Sequence, residues 1–176
     1  MFGYLRESKR LLQVLDVFRR VHRELPQTAL LVAGQFASGD LQRASRPPLS
    51  APGVLRLPYL EEREFWLAAR AVDACINLRY PSAGESSGIA IRLMGLGKPV
   101  LVTEGTENAR FPEDACIRIP PGPAEPDSLY HHLILLPSLP MLAASLGERA
   151  AASIAAGHGI QQVGEEYWNL LGEYSA

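Results

Sequence analysis

Several features that would assign a protein to a specialised class are scarce in this chain of 176 residues. It has two cysteines, Cys75 and Cys116, each inside an apolar run, and no CxxC pair or cysteine–histidine cluster. This argues against a disulfide scaffold or a metal site and suits a reducing compartment. No apolar run approaches the ~18 residues of a membrane-spanning helix, and no secretory signal pattern is present. We therefore expect a soluble, cytoplasmic chain without a membrane-spanning segment.

The chain also lacks a large excess of either positive or negative charge. The 17 basic and 19 acidic residues give a formal net charge of −2. This near balance argues against binding of nucleic acid, or of an anionic membrane, through overall charge. A hydrophobic content of 47% with 20% charged residues supplies the material for one ordinary globular domain. The composition thus predicts a single domain over residues 1–176 that does not bind nucleic acid.

Short apolar strands alternate with amphipathic helices along the chain. The opening FGYL resembles a strand, and apolar residues at helical spacing predict a one-sided helix over residues 9–25. Residues 35–52 have a loop composition, in which residues 40–44 could form one helical turn. Further strands are expected at 28–34, 53–57, 72–78, 100–102 and 115–119, with helices at 61–71 and from 127 onward. This alternation predicts an α/β fold with a doubly wound, Rossmann-like parallel sheet and ligands at the carboxyl ends of its strands.

Two expectations concern apolar helix faces. The last helix, near residues 159–171, places an apolar stripe along one side, and Trp66 and Trp168 lie on helix stripes where we expect core positions. The stripe consists of Ile160, Val163, Tyr167, Leu170 and Leu171.

The segment from 79 to 103, RYPSAGESSGIAIRLMGLGKPVLVT, predicts an anion site. Its small residues keep a loop free of bulk, so backbone amides and the following helix N-terminus can approach a phosphate closely. Glu85, in the middle of this loop, can accept hydrogen bonds from ligand hydroxyls. The residues expected to contact the anion are Gly84, Ser86, Ser87, Gly88 and Ile89.

Five pieces of the sequence together resemble the C-terminal, nucleotide-sugar-binding half of the family 4 (group 1) glycosyltransferases of the GT-B fold. They are FGYLRESKRL (2–11), LPQTALLVAG (25–34), GVLRLPYL (53–60), AVDACINLRYPSAGES (71–86) and GLGKPVLVT (95–103). They span almost the whole chain.

The resemblance implies transfer of a sugar from a nucleotide diphosphate donor to an acceptor hydroxyl, with retention at the anomeric carbon. Arg6 and Lys9 would hold the donor diphosphate without a metal or other cofactor, and Glu85 would orient the sugar. Tyr59 or Leu60 would flank the base. The implied catalytic residues are thus Arg6, Lys9 and Glu85. The acceptor would belong mainly to a separate N-terminal domain, a partner absent from this chain, so we expect weak donor binding and little turnover by the chain alone.

The chain departs from the family at the second glutamate of its best-known motif, which is implied to hold the ribose hydroxyls. Counting on from Glu85 puts Leu93 at that position, whereas counting back from the Gly-Lys-Pro sequence puts Arg92 there. Neither side chain is acidic. Arg92 could instead add positive charge near the diphosphate, since a planar guanidinium suits phosphate oxygens.

Two other functions stay open. The first is a non-catalytic, transferase-like module that binds a nucleotide or a partner. The second is a serine hydrolase, because residues 84–88 satisfy Gly-x-Ser-x-Gly around Ser86. Asp114 or Asp127, followed by His131 or His158, keeps the chain order Ser, Asp, His. A phosphate loop at residues 95–98 is disfavoured, since Lys98 leads into a strand rather than a helix.

Overall fold

The computed structural model of the chain describes residues 1–173. Within these residues, short parallel strands and helices alternate. The strands are β1 (Leu30–Ala33), β2 (Val54–Leu57), β3 (Cys75–Asn77), β4 (Val100–Thr103) and β5 (Ile117–Ile119). The helices are α1 (Leu11–Glu24), α2 (Gly39–Leu49), α3 (Glu62–Ala71), α4 (Gly88–Gly95), α5 (Glu125–Ser138), α6 (Pro140–Gly157) and α7 (Ile160–Glu173), and a 3-10 turn (Glu7–Lys9) precedes α1.

Every strand pairing is parallel, as the sequence predicts. β1 pairs with β2, and β3, β4 and β5 form a second group in that order. The expected N-terminal strand is reduced to two isolated parallel bridges, Phe2 to Ala33 and Leu5 to Phe36. The strand is interrupted between these bridges because Gly3 has φ +96°, which is incompatible with extended backbone.

Helices cover both faces of the parallel strands. Along β4, Leu101 packs with the buried side chains of α1 and α5, whereas Val100 and Val102 pack with those of α3, α4 and α6. This division follows from the period-2 alternation of a strand, whose successive side chains point to opposite faces. Side chains from both groups of strands contribute to each cluster, so the predicted doubly wound α/β architecture is confirmed.

The helix predicted over residues 9–25 is confirmed as the 3-10 turn followed by α1. Its apolar positions recur every three or four residues and are at most 5% exposed: Leu11, Val14, Leu15, Phe18 and Val21. Burying an aliphatic or aromatic side chain of this size stabilises the fold by about 1.5–3 kcal/mol. α1 therefore holds one face of the sheet and fixes the position of the 3-10 turn that carries Lys9.

The prediction of a loop over residues 35–52 is wrong, because most of this segment forms α2. The Ser38 hydroxyl caps the helix by accepting a 3.1 Å hydrogen bond from the Leu41 amide, and the Leu41 side chain is buried. The two prolines, Pro47 and Pro48, lie in the last turn. The N-cap of Ser38 and the burial of Leu41 thus stabilise a helix in a segment whose glycine and prolines favour a loop.

The apolar stripe predicted on the last helix exists, but little of it is buried. Trp168 is 77% exposed, so its predicted core position is wrong, while Trp66 is half-buried. The other large exposed residues of the helix are Ile160, Tyr167, Leu170 and Leu171. Helical spacing identifies residues that share a face, but not whether another element covers that face.

No single helix within residues 1–173 is long and apolar enough to cross a membrane. One pair of helical segments has the length and the apolar composition of a membrane span when the two are taken together. The pair consists of residues 125–138 and 140–172, and the chain bends by 106° between them.

Candidate functional site

A cleft of about 100 Å³ lies at the carboxyl ends of β1 and β2, where parallel strands of this architecture present ligand sites. Its walls come from the N-terminal segment, from the residues that follow β1 and β2, and from α3 and α4. The lining residues are Phe2, Gly3, Ala33, Gly34, Tyr59, Leu60, Glu62, Phe65, Ile89 and Arg92.

The floor of the cleft depends on a close approach of two glycines. A Cβ placed on Gly34 would lie 1.8 Å from the carbonyl oxygen of Gly3, a contact that no side chain can make. Gly34 also has φ +142°, and its amide hydrogen-bonds the carbonyl of Pro58 at 3.0 Å. The two backbones therefore approach each other without side chains between them.

Lys9 reaches the same region from the 3-10 turn. Its Nζ donates a 2.6 Å hydrogen bond to the carbonyl oxygen of Phe2, and the side chain is only 6% exposed. A Cβ on Gly3 would lie 3.0 Å from this Nζ and 3.4 Å from Cγ1 of Ile89, so the ammonium adjoins the beginning of α4. None of the ion pairs within residues 1–173 includes Lys9.

The surroundings of Lys9 disfavour its charge. Burial, together with the positive charges of Arg79 and Arg6, lowers the pKa of the ammonium from its ordinary value to about 8. An ammonium has three donors, and the Phe2 carbonyl accepts from only one of them. A buried cation with a single neutral acceptor is a favourable partner for an anion.

The start of α4 faces open space. Ser87 is the N-cap residue, and its Oγ accepts a 3.3 Å hydrogen bond from the Ala90 amide. The amides of Gly88 and Ile89, at the first two helical positions, have no carbonyl four residues earlier to which they could bond within the helix. A Cβ on Gly88 would meet no atom within 4 Å. These two amides are thus placed to bind an anion, and the helix dipole favours one.

Glu85 is held by a residue that the sequence analysis did not single out. Its carboxylate pairs with the guanidinium of Arg79, whose side chain is 17% exposed against 46% for Glu85. The Arg79 amide donates a 2.8 Å hydrogen bond to Oγ1 of Thr103, which ties the loop to the end of β4. In the same loop the Gly84 amide bonds Oγ of Ser82 at 3.0 Å, so it is already engaged.

Arg92 forms one wall of the cleft. Its guanidinium pairs with the Glu62 carboxylate and lies 4.5 Å from the ring centroids of both Phe65 and Trp66. Leu93, the other candidate for the motif position, is 1% exposed in the core. The helix therefore presents Arg92, not Leu93, to the cleft.

Of the remaining predicted site residues, two line the cleft and two lie outside its wall. Tyr59 and Leu60 line the cleft, and Tyr59 is 63% exposed. Arg6 is exposed, with its guanidinium 5.8 Å from the centroid of the Tyr4 ring rather than in the cleft wall. Ser86 is exposed in the loop just before α4.

The geometry around Ser86 differs from that of a hydrolase. β3 ends at Asn77, so residues 78–85 separate the strand from the serine, whereas a nucleophile elbow joins strand and serine directly. The rings of His131 and His158 contact those of Tyr130 and Phe111. Within residues 1–173 no group of three or more histidine, cysteine or acidic residues is arranged to hold a metal ion.

Solved structures with the same fold identify the architecture. The C-terminal domain of a glycosyl transferase group 1 family protein (LpcC) from Francisella tularensis aligns with a TM-score of 0.76 at 14% identity, over 90% of this chain and 84% of that one. The chain has the fold of a group 1 glycosyltransferase C-terminal domain.

Longer glycosyltransferases contain the same unit. Anabaena Alr3699/HepE in complex with UDP-glucose aligns with a TM-score of 0.85 at 15% identity, over 97% of this chain and 48% of that one. WaaG, a glycosyltransferase involved in lipopolysaccharide biosynthesis, aligns with a TM-score of 0.70 at 16% identity, over 87% and 42%. This chain thus spans less than half of those proteins. No protein-family profile and no curated protein matches the sequence.

Within this glycosyltransferase fold, two cleft-related residues were missed by the sequence analysis. Arg79 follows the end of β3 and precedes the small-residue loop, so its position at the carboxyl edge of a parallel sheet was a usable signal. Glu62 gave no comparable signal, because an acidic residue in the first turn of a helix has an ordinary explanation in the helix dipole.

Proposed function

We propose that this chain is the donor-binding domain of a retaining glycosyltransferase, which binds a nucleotide diphosphate sugar in the cleft and presents it to an acceptor hydroxyl. The observation that carries the proposal is the buried Lys9 ammonium, which adjoins the start of α4 and forms no ion pair with any residue from 1 to 173. A diphosphate supplies the negative charge that this environment lacks.

The reaction requires stabilisation of the leaving diphosphate. Negative charge develops on it as the bond from the anomeric carbon to the phosphate oxygen breaks. Lys9 and the amides of Gly88 and Ile89 are donors that are already positioned, and donors of this kind are each worth about 3–4 kcal/mol in other enzymes. Arg6, on the exposed side of the 3-10 turn, would join them on ligand binding. No step needs a metal ion.

The rest of the cleft suits the nucleoside and the sugar. Tyr59 and Leu60 offer an apolar edge for a base, and the glycines of the floor allow a planar ring to approach the backbone. Glu85, fixed by Arg79, would accept hydrogen bonds from the donor sugar. The HepE structures contain UDP and UDP-glucose, which favours the same ligand class here.

The acceptor would be bound by a second domain, since the longer glycosyltransferases are about twice the length of this chain. We expect the chain alone to bind donor weakly and to turn over little. The cytoplasm is the compartment that suits its two buried free thiols.

Calorimetric titration with UDP, GDP and ADP tests the proposal, with Lys9→Met as the disabling variant. Lys98 provides a matched control, because its Nζ also donates to a backbone carbonyl, that of Arg70 at 2.9 Å, but it follows the C-terminal end of α4 and does not adjoin its start. We expect one nucleotide to bind best, Lys9→Met to weaken it at least tenfold and Lys98→Met to leave it unchanged. Equal binding by both variants would contradict the proposal.

A non-catalytic nucleotide-binding module is the second candidate, favoured by the burial of Leu93 and the pairing of Arg92. It predicts nucleotide binding with no release of sugar from any donor, even when an acceptor domain is supplied. Sugar transfer in that reconstituted system would exclude it. Labelling of Ser86 by a fluorophosphonate would instead indicate a hydrolase.

A further inference from the structure

Of the cleft-lining residues in the described part of the chain, Glu62 alone is acidic. Its Oε1 accepts hydrogen bonds from two donors, Nη2 of Arg92 and Nε1 of Trp66, the latter at 2.7 Å. Two donors on one oxygen hold the carboxylate in a single orientation. The side chain remains 69% exposed, so a ligand in the cleft can reach it.

The carboxylate keeps unused acceptor capacity. An ionised carboxylate offers about four acceptor sites on its two oxygens, and the two protein donors occupy Oε1 alone. The hydrogen bonds from Arg92 and Trp66 lower the pKa of Glu62, which keeps it ionised at neutral pH. An ionised acceptor is suited to a ligand that donates two adjacent hydroxyl hydrogens.

Among the lining residues that the structure describes, no other side chain offers an ionised acceptor. The position beside Arg92 on α4 is Leu93, which is buried in the core and apolar. The remaining lining residues are apolar, glycine, the phenol of Tyr59 or the guanidinium of Arg92, which has donors only.

We propose that Glu62 accepts hydrogen bonds from the two vicinal hydroxyls of the ribose of a bound nucleoside diphosphate. Arg92 acts as a positioning residue: its guanidinium holds the carboxylate while it lies against the faces of Phe65 and Trp66. The carboxylate that would contact the ribose therefore comes from α3, and a guanidinium from α4 holds it in place. This inference rests on the proposed function, because it requires a nucleotide in the cleft.

The test compares UDP, GDP and ADP with their 2′,3′-dideoxy counterparts on the wild-type chain and on Glu62→Ala. Because the ribose hydroxyls would donate to a charged acceptor, we expect the wild-type chain to bind the ribose nucleotides roughly tenfold to a hundredfold more tightly than the dideoxy ones. Glu62→Ala should bind both forms equally. Affinity for inorganic pyrophosphate, which has no hydroxyls of this kind, should change by less than about threefold.

Two further variants separate a ribose contact from a structural effect. Glu64→Gln changes a neighbouring carboxylate that caps α3 and does not line the cleft, so it should keep the full preference. Arg92→Met should keep a reduced preference, because Trp66 still holds Glu62. Retention of the full ribose preference by Glu62→Ala would overturn the inference and leave the proposed function standing. Failure of all six nucleotides to bind the wild-type chain would overturn both.

Discussion

Lys9 and Phe2 are joined by a 2.6 Å hydrogen bond from the lysine Nζ to the backbone carbonyl oxygen, at the edge of the cleft. The bond directs a buried ammonium toward the N-terminal segment, where Gly3 leaves room for it. A neutral carbonyl compensates only part of the cost of burying a charge. The pair therefore holds a cation in a position where an added anion would be strongly favoured.

The first prediction concerns the pH dependence of nucleotide binding. The pKa of Lys9 in the free protein is lowered to about 8, and a bound diphosphate raises it by favouring the charged form. Above pH 8 binding must therefore be accompanied by proton uptake, and affinity should fall by up to about tenfold per pH unit. Titration calorimetry between pH 6.5 and 9.5 measures this. Lys9→Met should bind weakly with no such decline, and a flat profile for the wild-type chain would contradict the prediction.

The second prediction concerns stability. Folding lowers the pKa of Lys9 from its ordinary value of 10.5 to about 8. Between pH 8 and pH 10.5 the unfolded chain therefore binds more protons than the folded chain. The free energy of unfolding should therefore increase with pH across that window, by up to about 3 kcal/mol from this group alone. Urea unfolding of the wild-type chain and of Lys9→Met at pH 7.5 and 10 isolates the contribution. The wild-type gain should exceed that of the variant.

A third prediction links Arg79 to Lys9. The positive charge of Arg79 is one cause of the lowered pKa of Lys9, and the same guanidinium pairs with Glu85. Arg79→Met removes this like charge, which raises the pKa of Lys9. The decline of nucleotide affinity should therefore begin at a higher pH than in the wild-type chain, in the same titration series. Arg70→Met, which removes a positive charge from an exposed position on α3, is the control and should leave the profile unmoved.

The sequence predicts the architecture because its strands are short apolar runs and its helices carry apolar residues at regular spacing, so local patterns and tertiary packing agree. α1 and β4 illustrate this agreement, since each places its apolar residues on the faces that the structure buries. α2 was missed because its cap and its one buried leucine are weak signals beside two prolines. The core position expected for Trp168 on α7 is wrong because exposure depends on which elements pack against a helix, and helical spacing does not contain that information.

The site was predictable in part for a similar reason. Residues that follow strands reach the same edge of a parallel sheet, and this rule gathers Tyr59, Leu60, Ile89 and Arg92 into the cleft wall. The pairs that orient the charged groups join residues distant in sequence, such as Glu62 and Arg92, 30 residues apart. This pairing forms because α3 packs beside α4. Local sequence patterns carry no information about which helices pack together.

A fourth prediction concerns the two thiols. Burial raises the pKa of Cys75 to about 11 and raises that of Cys116 in the same direction, and both side chains are at most 3% exposed. The thiolate is the reactive form, so neither cysteine should react with a disulfide reagent at pH 8 in the folded protein. Both should react in denaturant, giving two thiols per chain. Rapid labelling of either thiol under native conditions would contradict the burial of Cys75 in β3 or of Cys116 just before β5.

The last prediction tests the contact between α6 and the turn after α4. A Cβ placed on Gly147 would lie 2.0 Å from the carbonyl oxygen of Gly97, and because that atom is backbone, one of the two elements must shift. Gly147→Ala should therefore lower the free energy of unfolding by about 1–3 kcal/mol, although alanine has the higher helix propensity.

Gly164 in α7 is the matched control for this substitution. A Cβ there meets nothing within 4 Å, so Gly164→Ala should leave stability unchanged or raise it by up to about 1 kcal/mol. Urea unfolding of both variants gives the comparison. Equal stability of the two would mean that α6 does not approach the Gly97 backbone as closely as the fold requires, and the buried position of Ala150 on the same helix would then also need revision.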